Sequence, residues 1–136
     1  MHIAETKTKS RQVLGTKPRS VKLSRHCLAT LVVSDAAKLL DSKSFSNALH
    51  EIIRSEGAVC VGEVTYDFNN SSFTSVFALS ESHISVHTWP ERMAVQLDVF
   101  LCNYMHDNRD KCERLFDAIV AYFDPKEIEA IHLDRL

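Results

Sequence analysis

The chain has 136 residues, a mass of 15.4 kDa and a formal net charge of −2. This length is enough for one domain and too short for two cores of ordinary size. With 45% hydrophobic and 25% charged residues, the composition excludes a wholly disordered chain. The apolar runs are too short to span a membrane and the first residues carry no secretory signal, so we expect a cytoplasmic protein.

The first 22 residues form a polar, basic arm in which several Lys and Arg residues face a single acid, Glu5. Such an arm can bind phosphates, but a flexible, solvated tail is the simpler expectation. The rest of the chain is acidic, so we expect neither a whole-domain nucleic-acid binder nor a membrane protein. Residues 23–136 are predicted to form a single domain.

The predicted elements follow in the order β-α-β-β-β-β-α-β. They are strand 27–33, a helix from a cap within 41–44 to Gly57, strands 58–68, 73–79, 84–88 and 93–102, a helix from Asn108 or Asp110 to Phe123, and strand 128–133. Short turns between the middle strands predict antiparallel pairing.

The strand at 93–102 indicates how the layers are arranged. One side carries Val95, Leu97, Val99 and Leu101, whereas the other carries Gln96, Asp98, Phe100 and Cys102. Two faces of different chemistry indicate helices on one side of the sheet and a different role for the other. The predicted fold is therefore an α+β two-layer sandwich, an antiparallel sheet with helices packed on one face.

The segment 79–91 carries the candidate chemistry, because it concentrates serines, histidines, glutamates and the single tryptophan around one turn. A serine hydrolase is one interpretation, but the segment has no G-x-S-x-G motif. A metal site on His83 and His87 is a second, but along a strand these residues stand about 13 Å apart. Ordinary core or surface histidines are the third. The four cysteines form no C-x-x-C pair, so no zinc ribbon is predicted and reduced thiols are expected.

A fourth interpretation comes from resemblance. The sequence Glu-Ser-His-Ile-Ser-Val-His-Thr-Trp-Pro-Glu at 81–91 resembles the self-cleavage segment of the prokaryotic-type S-adenosylmethionine decarboxylase proenzymes. Further similarities follow in the family's order, at Arg25-His26, at Glu56-Gly57-Ala58 and at 98–102. Together they cover roughly residues 24–134.

The resemblance implies that the domain cleaves itself between Glu81 and Ser82 and converts Ser82 to a pyruvoyl group. This covalent cofactor would form a Schiff base with the substrate amine, without metal or pyridoxal phosphate. By the same resemblance His87 would be the processing base, Thr74 would support the acyl shift in place of the family's serine, and Cys102 would be the proton donor in decarboxylation.

The resemblance also implies a small-molecule amino-acid substrate and a homodimer of cleaved protomers with sites at the interface. Substrate contacts would come from Phe68, Ile84, Trp89 and Glu91, with Phe68 stacking on adenine and a carboxylate accepting from ribose hydroxyls. For Phe68 and Trp89, core or interface packing is an equal alternative.

The chain departs from the family at Ser72-Phe73-Thr74-Ser75, where glycines are usual, and at Leu101-Cys102-Asn103, where Thr-Cys-Gly is usual. The expected activity is conversion of S-adenosylmethionine to its decarboxylated form, an aminopropyl donor for spermidine synthesis. Two alternatives stay open. One is a pyruvoyl decarboxylase of arginine or ornithine, and the other is a non-catalytic regulatory homologue.

Overall fold

Seven strands and two helices make up the part of the chain that this computed structural model describes, residues 7–9, 23–103 and 106–136. The strands are β1 (Lys7–Lys9), β2 (Ser24–Val32), β3 (Cys60–Asp67), β4 (Phe73–Leu79), β5 (Ser82–Trp89), β6 (Ala94–Leu101) and β7 (Glu127–Arg135). The helices are α1 (Ser42–Ser55) and α2 (Arg109–Phe123), and single 3-10 turns lie at Ala36–Leu39 and Pro90–Arg92.

The strands form one sheet in the order β1-β7-β2-β6-β5-β4-β3. The six strands from β2 to β7 pair antiparallel, and β1 pairs parallel with β7. Both helices pack on the same face, where their apolar side chains join the sheet in one core. The predicted α+β two-layer sandwich is confirmed.

The two helices form where their sequence patterns predict them. The Asp41 side chain caps α1 by accepting from the Ser44 N–H, and Gly57 follows the helix with a φ of +71° that suits glycine. On each helix the apolar stripe is buried against the sheet, through Phe45, Leu49 and Ile53 of α1 and through Cys112, Leu115, Phe116, Ile119 and Phe123 of α2.

The two faces of the sheet differ as the sequence of β6 predicts. Val95, Val99 and Leu101 are fully buried under the helices. Gln96 and Asp98 lie on the opposite side, which no described helix covers and which is called the open face below. The polar side chains of β6 therefore project from the open face.

Two features differ most from the prediction. Strand β5 begins at Ser82 rather than at 84, so the turn after β4 is confined to Ser80 and Glu81. Strand β1 adds a parallel partner that the sequence pattern does not indicate. The remaining residues of the predicted basic arm lie outside the described part of the chain.

The edge strand β3 leaves large apolar side chains in solvent. Val61, Val64 and Tyr66 are 65%, 70% and 63% exposed. Apolar exposure concentrated on one edge is typical of a surface that another molecule covers. Of the helices described here, neither has the length and apolarity required to cross a membrane.

Candidate active site

The turn from β4 to β5 contains the predicted cleavage point. Leu79 pairs with Ser82 across the turn, so Ser80 and Glu81 form its tip and the peptide bond from Glu81 to Ser82 joins the turn to β5. Ser82 has a φ of +144°, a conformation that residues with a side chain rarely adopt. Backbone held in such a region costs on the order of 1–3 kcal/mol and is characteristic of functional sites. The peptide bond after Glu81 is thus held at a strained residue.

The carbonyl of that peptide bond is bound by a fixed donor. The Cys102 N–H, just after β6, donates to the Glu81 carbonyl oxygen at 2.8 Å. When the carbonyl carbon is attacked, this N–H lies beside the oxygen on which negative charge develops. Cys102 therefore contributes its backbone N–H to the predicted cleavage point, in addition to its thiol.

The Glu81 side chain anchors the turn to the start of α2. The Asn108 amide donates to a Glu81 carboxylate oxygen, and Lys111 Nζ lies 3.7 Å from the other oxygen. The same Asn108 amide donates to the Cys102 carbonyl at 2.9 Å. Although Asn108 is the N-cap residue of α2, its side chain does not cap the helix. It links Glu81 to Cys102 instead.

The Ser82 hydroxyl lies beside a chain of polar side chains on the open face. Ser82 Oγ is 3.3 Å from His83 Nδ1, and His83 Nε2 is 3.4 Å from Asp98 Oδ1. His26 Nε2 contacts the same Asp98 oxygen at 2.6 Å. Burial raises the pKa of Asp98, but the hydrogen bond from His26 and the neighbouring His83 lower it by more, so the net pKa lies below its usual value. Asp98 is accordingly a carboxylate at neutral pH.

The sequence assigns no function to His26 or Asp98, and His83 is considered there only as a metal ligand together with His87. Arg25-His26 and Asp98 entered only as family resemblances, because nothing in the sequence shows which residues face one another on neighbouring strands. The register supplies that information: His26 and His83 each pair with Phe100, so both imidazoles flank the Asp98 side of β6.

The other predicted site residues gather at the far end of β5. Thr74 Oγ1 and His87 Nδ1 are 3.0 Å apart, and they line a pocket of about 640 Å³ with Phe68, Trp89 and Glu91. Phe68 and Trp89 are 49% and 40% exposed, so neither is a core residue of this chain. The Trp89 indole is held by a hydrogen bond from Nε1 to Gln96 Oε1 at 3.1 Å.

Ile84 does not join this pocket. Its side chain is fully buried on the helix-covered face of β5. Because alternate residues of a strand point to opposite faces, Ile84 cannot share a surface with His83 and His87. The Ile84 side chain therefore belongs to the core, and the predicted substrate contact at this residue stays a prediction that only its backbone could fulfil.

The two groups of site residues lie apart within one chain. Ser82 and His87 stand at opposite ends of a continuous strand, so about 16 Å separates their Cα atoms. No imidazole spans that distance. The structure brings Glu81, Ser82 and Cys102 together at one end and Thr74, His87, Phe68, Trp89 and Glu91 at the other.

Two residues that depart from the family pattern, Phe73 and Leu101, have their side chains on the helix-covered side of the sheet. Phe73 is fully buried and its ring centroid lies 5.6 Å from that of Phe45, so its bulk fills the core instead of the turn. Leu101 is also fully buried under the helices. Neither residue reaches the open face, where Thr74 and the polar chain lie.

Among the described residues, two clusters consist of residue types that commonly bind metal ions. The ligand atoms of His26, His83 and Asp98 lie within 4.8 Å of one another, as do those of Cys27, Glu113 and His132. In each cluster a short hydrogen bond joins two members, His26 to Asp98 at 2.6 Å and His132 to Glu113 at 2.7 Å. Each of these two hydrogen bonds forms without an ion, although His132 Nε2 is buried without a hydrogen-bond partner.

Comparisons with known proteins agree with this geometry. The sequence profile of the S-adenosylmethionine decarboxylase family matches residues 25–136. The S-adenosylmethionine decarboxylase proenzyme of Pyrobaculum arsenaticum is 35% identical over 116 residues, covering 85% of this chain and 90% of the relative. The proenzyme of the same name from Archaeoglobus fulgidus is 29% identical over 113 residues, covering 83% of this chain and 97% of the relative.

The fold has a counterpart among solved structures. The crystal structure of the adenosylmethionine decarboxylase from Aquifex aeolicus matches with a TM-score of 0.75 at 29% sequence identity, covering 85% of this chain and 92% of that chain. The profile match runs from the start of β2 through the end of β7, and the relatives align over nearly their full length. The chain therefore belongs to the S-adenosylmethionine decarboxylase family.

Proposed function

We propose that the chain is the precursor of a self-processing, pyruvoyl-dependent S-adenosylmethionine decarboxylase. The observation that carries the proposal is the cleavage point itself, where Ser82 has a positive φ and the Glu81 carbonyl accepts from the Cys102 amide. The family and the names of its relatives support the substrate. They lend no support to arginine or ornithine, or to a non-catalytic role.

Cleavage begins with an acyl shift at the turn. The Ser82 hydroxyl attacks the Glu81 carbonyl carbon, the amide C–N bond breaks, and an ester to Oγ forms. The exchange is uphill for a relaxed peptide, but strain at Ser82 and the Cys102 N–H at 2.8 Å both lower its cost. Removal of the Ser82 α-proton then breaks the ester bond at Oγ, releases the main-chain carboxylate of Glu81 and leaves dehydroalanine at position 82. Hydrolysis of dehydroalanine replaces its amino group by oxygen and gives the pyruvoyl group and ammonia.

The residues around position 82 fit a pyruvoyl group. Ser82 pairs with Leu101 as well as with Leu79, so β6 would hold the new N-terminus in place after the chain is cut. The group supplies an electron sink for loss of carbon dioxide from an amino acid. The Cys102 thiol, partly exposed beside this position, would then donate a proton to the substrate carbon.

The pocket at the far end of β5 suits an adenosyl substrate. The exposed rings of Phe68 and Trp89 offer stacking surfaces for a purine, and the Glu91 carboxylate can accept hydrogen bonds from ribose hydroxyls. Because this pocket and Ser82 lie about 16 Å apart along β5, one chain cannot place a single substrate in both.

We therefore include a homodimer in the proposal, with the pocket of one protomer facing Ser82 of its partner. A two-fold axis across the open face would reverse β5 relative to its copy and bring opposite ends together. The exposed Val64, Tyr66 and Val76 border the same face and would be covered in such an assembly. His87 and Thr74 would then act on the partner subunit's cleavage point.

The cellular setting follows from the same proposal. The four cysteines are free thiols in the structure, a state that suits the cytoplasm. The decarboxylated product would serve as an aminopropyl donor in spermidine synthesis.

Replacing Cys102 should separate cleavage from turnover. Cys102→Ala keeps the backbone N–H that holds the Glu81 carbonyl but removes the thiol. We expect the variant to cleave after Glu81 and to lose decarboxylation by about 100-fold or more, the usual contribution of a general acid. Cys60→Ala, which removes another partly exposed thiol, should match the wild type in both assays. Full turnover by Cys102→Ala would exclude the thiol as proton donor.

Substrate identity is tested by the release of labelled carbon dioxide. Purified protein is offered carboxyl-labelled S-adenosylmethionine, arginine or ornithine in parallel reactions. We expect release from S-adenosylmethionine, and its loss when sodium cyanoborohydride traps the carbonyl group with the substrate. Release from arginine or ornithine alone would contradict the assignment.

A further inference from the structure

We propose that His83 is the base that accepts the Ser82 hydroxyl proton in the acyl shift, and that Asp98 is the positioning residue that orients His83. The inference rests on the self-cleavage proposed above and assigns its first step to residues of the same chain. It separates that step from the later removal of the Ser82 α-proton, which His87 would perform from the partner subunit.

The positive φ of Ser82 makes the contact with His83 possible. Neighbouring residues on a regular strand point to opposite faces, so a serine followed by a histidine would ordinarily direct its hydroxyl away from the imidazole. At a φ of +144° this alternation is broken, and Ser82 Oγ lies 3.3 Å from His83 Nδ1. Catalytic hydrogen bonds of this length before reaction commonly shorten as it proceeds.

The far side of the imidazole fixes its tautomer. His83 Nε2 lies 3.4 Å from Asp98 Oδ1, so the ring proton is favoured on Nε2, towards the carboxylate. Nδ1 is then free to accept from Ser82. Asp98 also stabilises the imidazolium that forms when the proton is transferred, as the acid does in a Ser-His-Asp triad.

A second histidine holds the carboxylate. His26 Nε2 contacts Asp98 Oδ1 at 2.6 Å, and Arg135 Nη1 donates to His26 Nδ1 at 3.2 Å. Since Arg135 has only donors, His26 Nδ1 must be the acceptor, and the His26 ring proton lies on Nε2. Asp98 therefore receives a firm hydrogen bond that leaves it charged and fixed in front of His83.

The proton and bond changes balance within the chain. Oγ forms a bond to the Glu81 carbonyl carbon while its proton passes to His83 Nδ1, and the Cys102 N–H binds the resulting oxyanion. The C–N bond then breaks and His83 returns the proton to the departing Ser82 amine. Nucleophile, base, positioning acid and oxyanion donor are all present around one turn, and no external reagent is consumed.

The test uses variants of the full chain made by cell-free synthesis, so that cleavage is followed from the moment the precursor appears. Intact mass reports cleavage, and hydroxylamine cuts any chain that carries the ester. His83→Ala should cleave about 100-fold more slowly or worse, and its uncut chains should resist hydroxylamine because the amide is intact. His87→Ala should instead yield uncut chains that hydroxylamine cuts after Glu81.

Additional variants separate chemistry from folding. Added imidazole should restore part of the cleavage of His83→Ala, which a misfolded chain would not show. Asp98→Asn should slow cleavage with hydroxylamine-resistant chains, and Asp98→Glu should recover part of the rate. His50→Ala, at an exposed histidine paired with Glu63 on another surface, should cleave as the wild type does.

Several outcomes would overturn the inference. One is cleavage of His83→Ala at the wild-type rate. Another is accumulation of hydroxylamine-sensitive His83→Ala chains, which would place His83 after the acyl shift. A third is arrest of wild-type cleavage by EDTA, which would show that the step requires a metal ion and not the proposed proton transfer alone. Failure of the wild type to cleave at all would instead overturn the proposed function.

Discussion

The Ser82→Ala protein is expected to remain a single chain with no decarboxylase activity. The substitution removes the only atom that can attack the Glu81 carbonyl from this position, and alanine cannot yield a pyruvoyl group. Cleavage and turnover should therefore both be lost completely, whatever the time of incubation. Intact mass spectrometry and labelled carbon dioxide release measure the two effects on the same sample.

Ser80→Ala is the matched control, because Ser80 lies in the same turn and offers the same hydroxyl one residue before Glu81. Ser80→Ala should cleave after Glu81 and turn over substrate as the wild type does. Cleavage of Ser82→Ala after Glu81 would show that another nucleophile acts, and would contradict the account of the turn.

A mixture of Ser82→Ala and His87→Ala chains should cleave although neither does so alone. In a mixed dimer, the His87→Ala chain retains Ser82 and receives an imidazole from its partner. The expected result follows from the strand geometry, since about 16 Å of β5 separates Ser82 from His87 in one chain. Co-expression followed by intact mass distinguishes the chains, because the two substitutions change the mass differently.

The partner chain in the control carries both substitutions. His87→Ala co-expressed with the Ser82→Ala, His87→Ala double variant forms dimers that lack both imidazoles, so its cleavage should not be restored. If the first mixture also stays uncleaved while mixed dimers are present, His87 does not act across the interface. The dimer arrangement would then have to be abandoned.

The sequence predicts which face of the sheet the helices cover, because buried residues recur with the period of a strand or of a helix. The apolar alternation of β6 and the stripe on α2 determine which face is covered, and both are visible in the residues. The cap at Asp41 and the stop at Gly57 are likewise local signals. Strand β1 is not predictable in this way, because its pairing with β7 depends on residues far apart in the chain.

The residues of the candidate site likewise fall into those that the sequence indicates and those that depend on long-range pairing. Glu81, Ser82, His87 and Cys102 follow from motif resemblance, but the contact between His83 and Asp98 depends on the register of β5 against β6. That register is determined by the Pro90–Arg92 turn and by Met93, which has a φ of +52°. The φ of Ser82, the distance between Ser82 and His87 and the burial of the Ile84 side chain also depend on the tertiary structure.

The most direct test of self-processing is the intact mass of the freshly purified wild-type protein. We expect two chains, residues 1–81 and residues 82–136, with the second lighter than the product of plain hydrolysis by the mass difference between a serine and a pyruvoyl N-terminus, which is one ammonia. A single unbroken chain, or a second chain that begins with an unmodified serine, would contradict the central claim that the chain makes its own pyruvoyl group from Ser82.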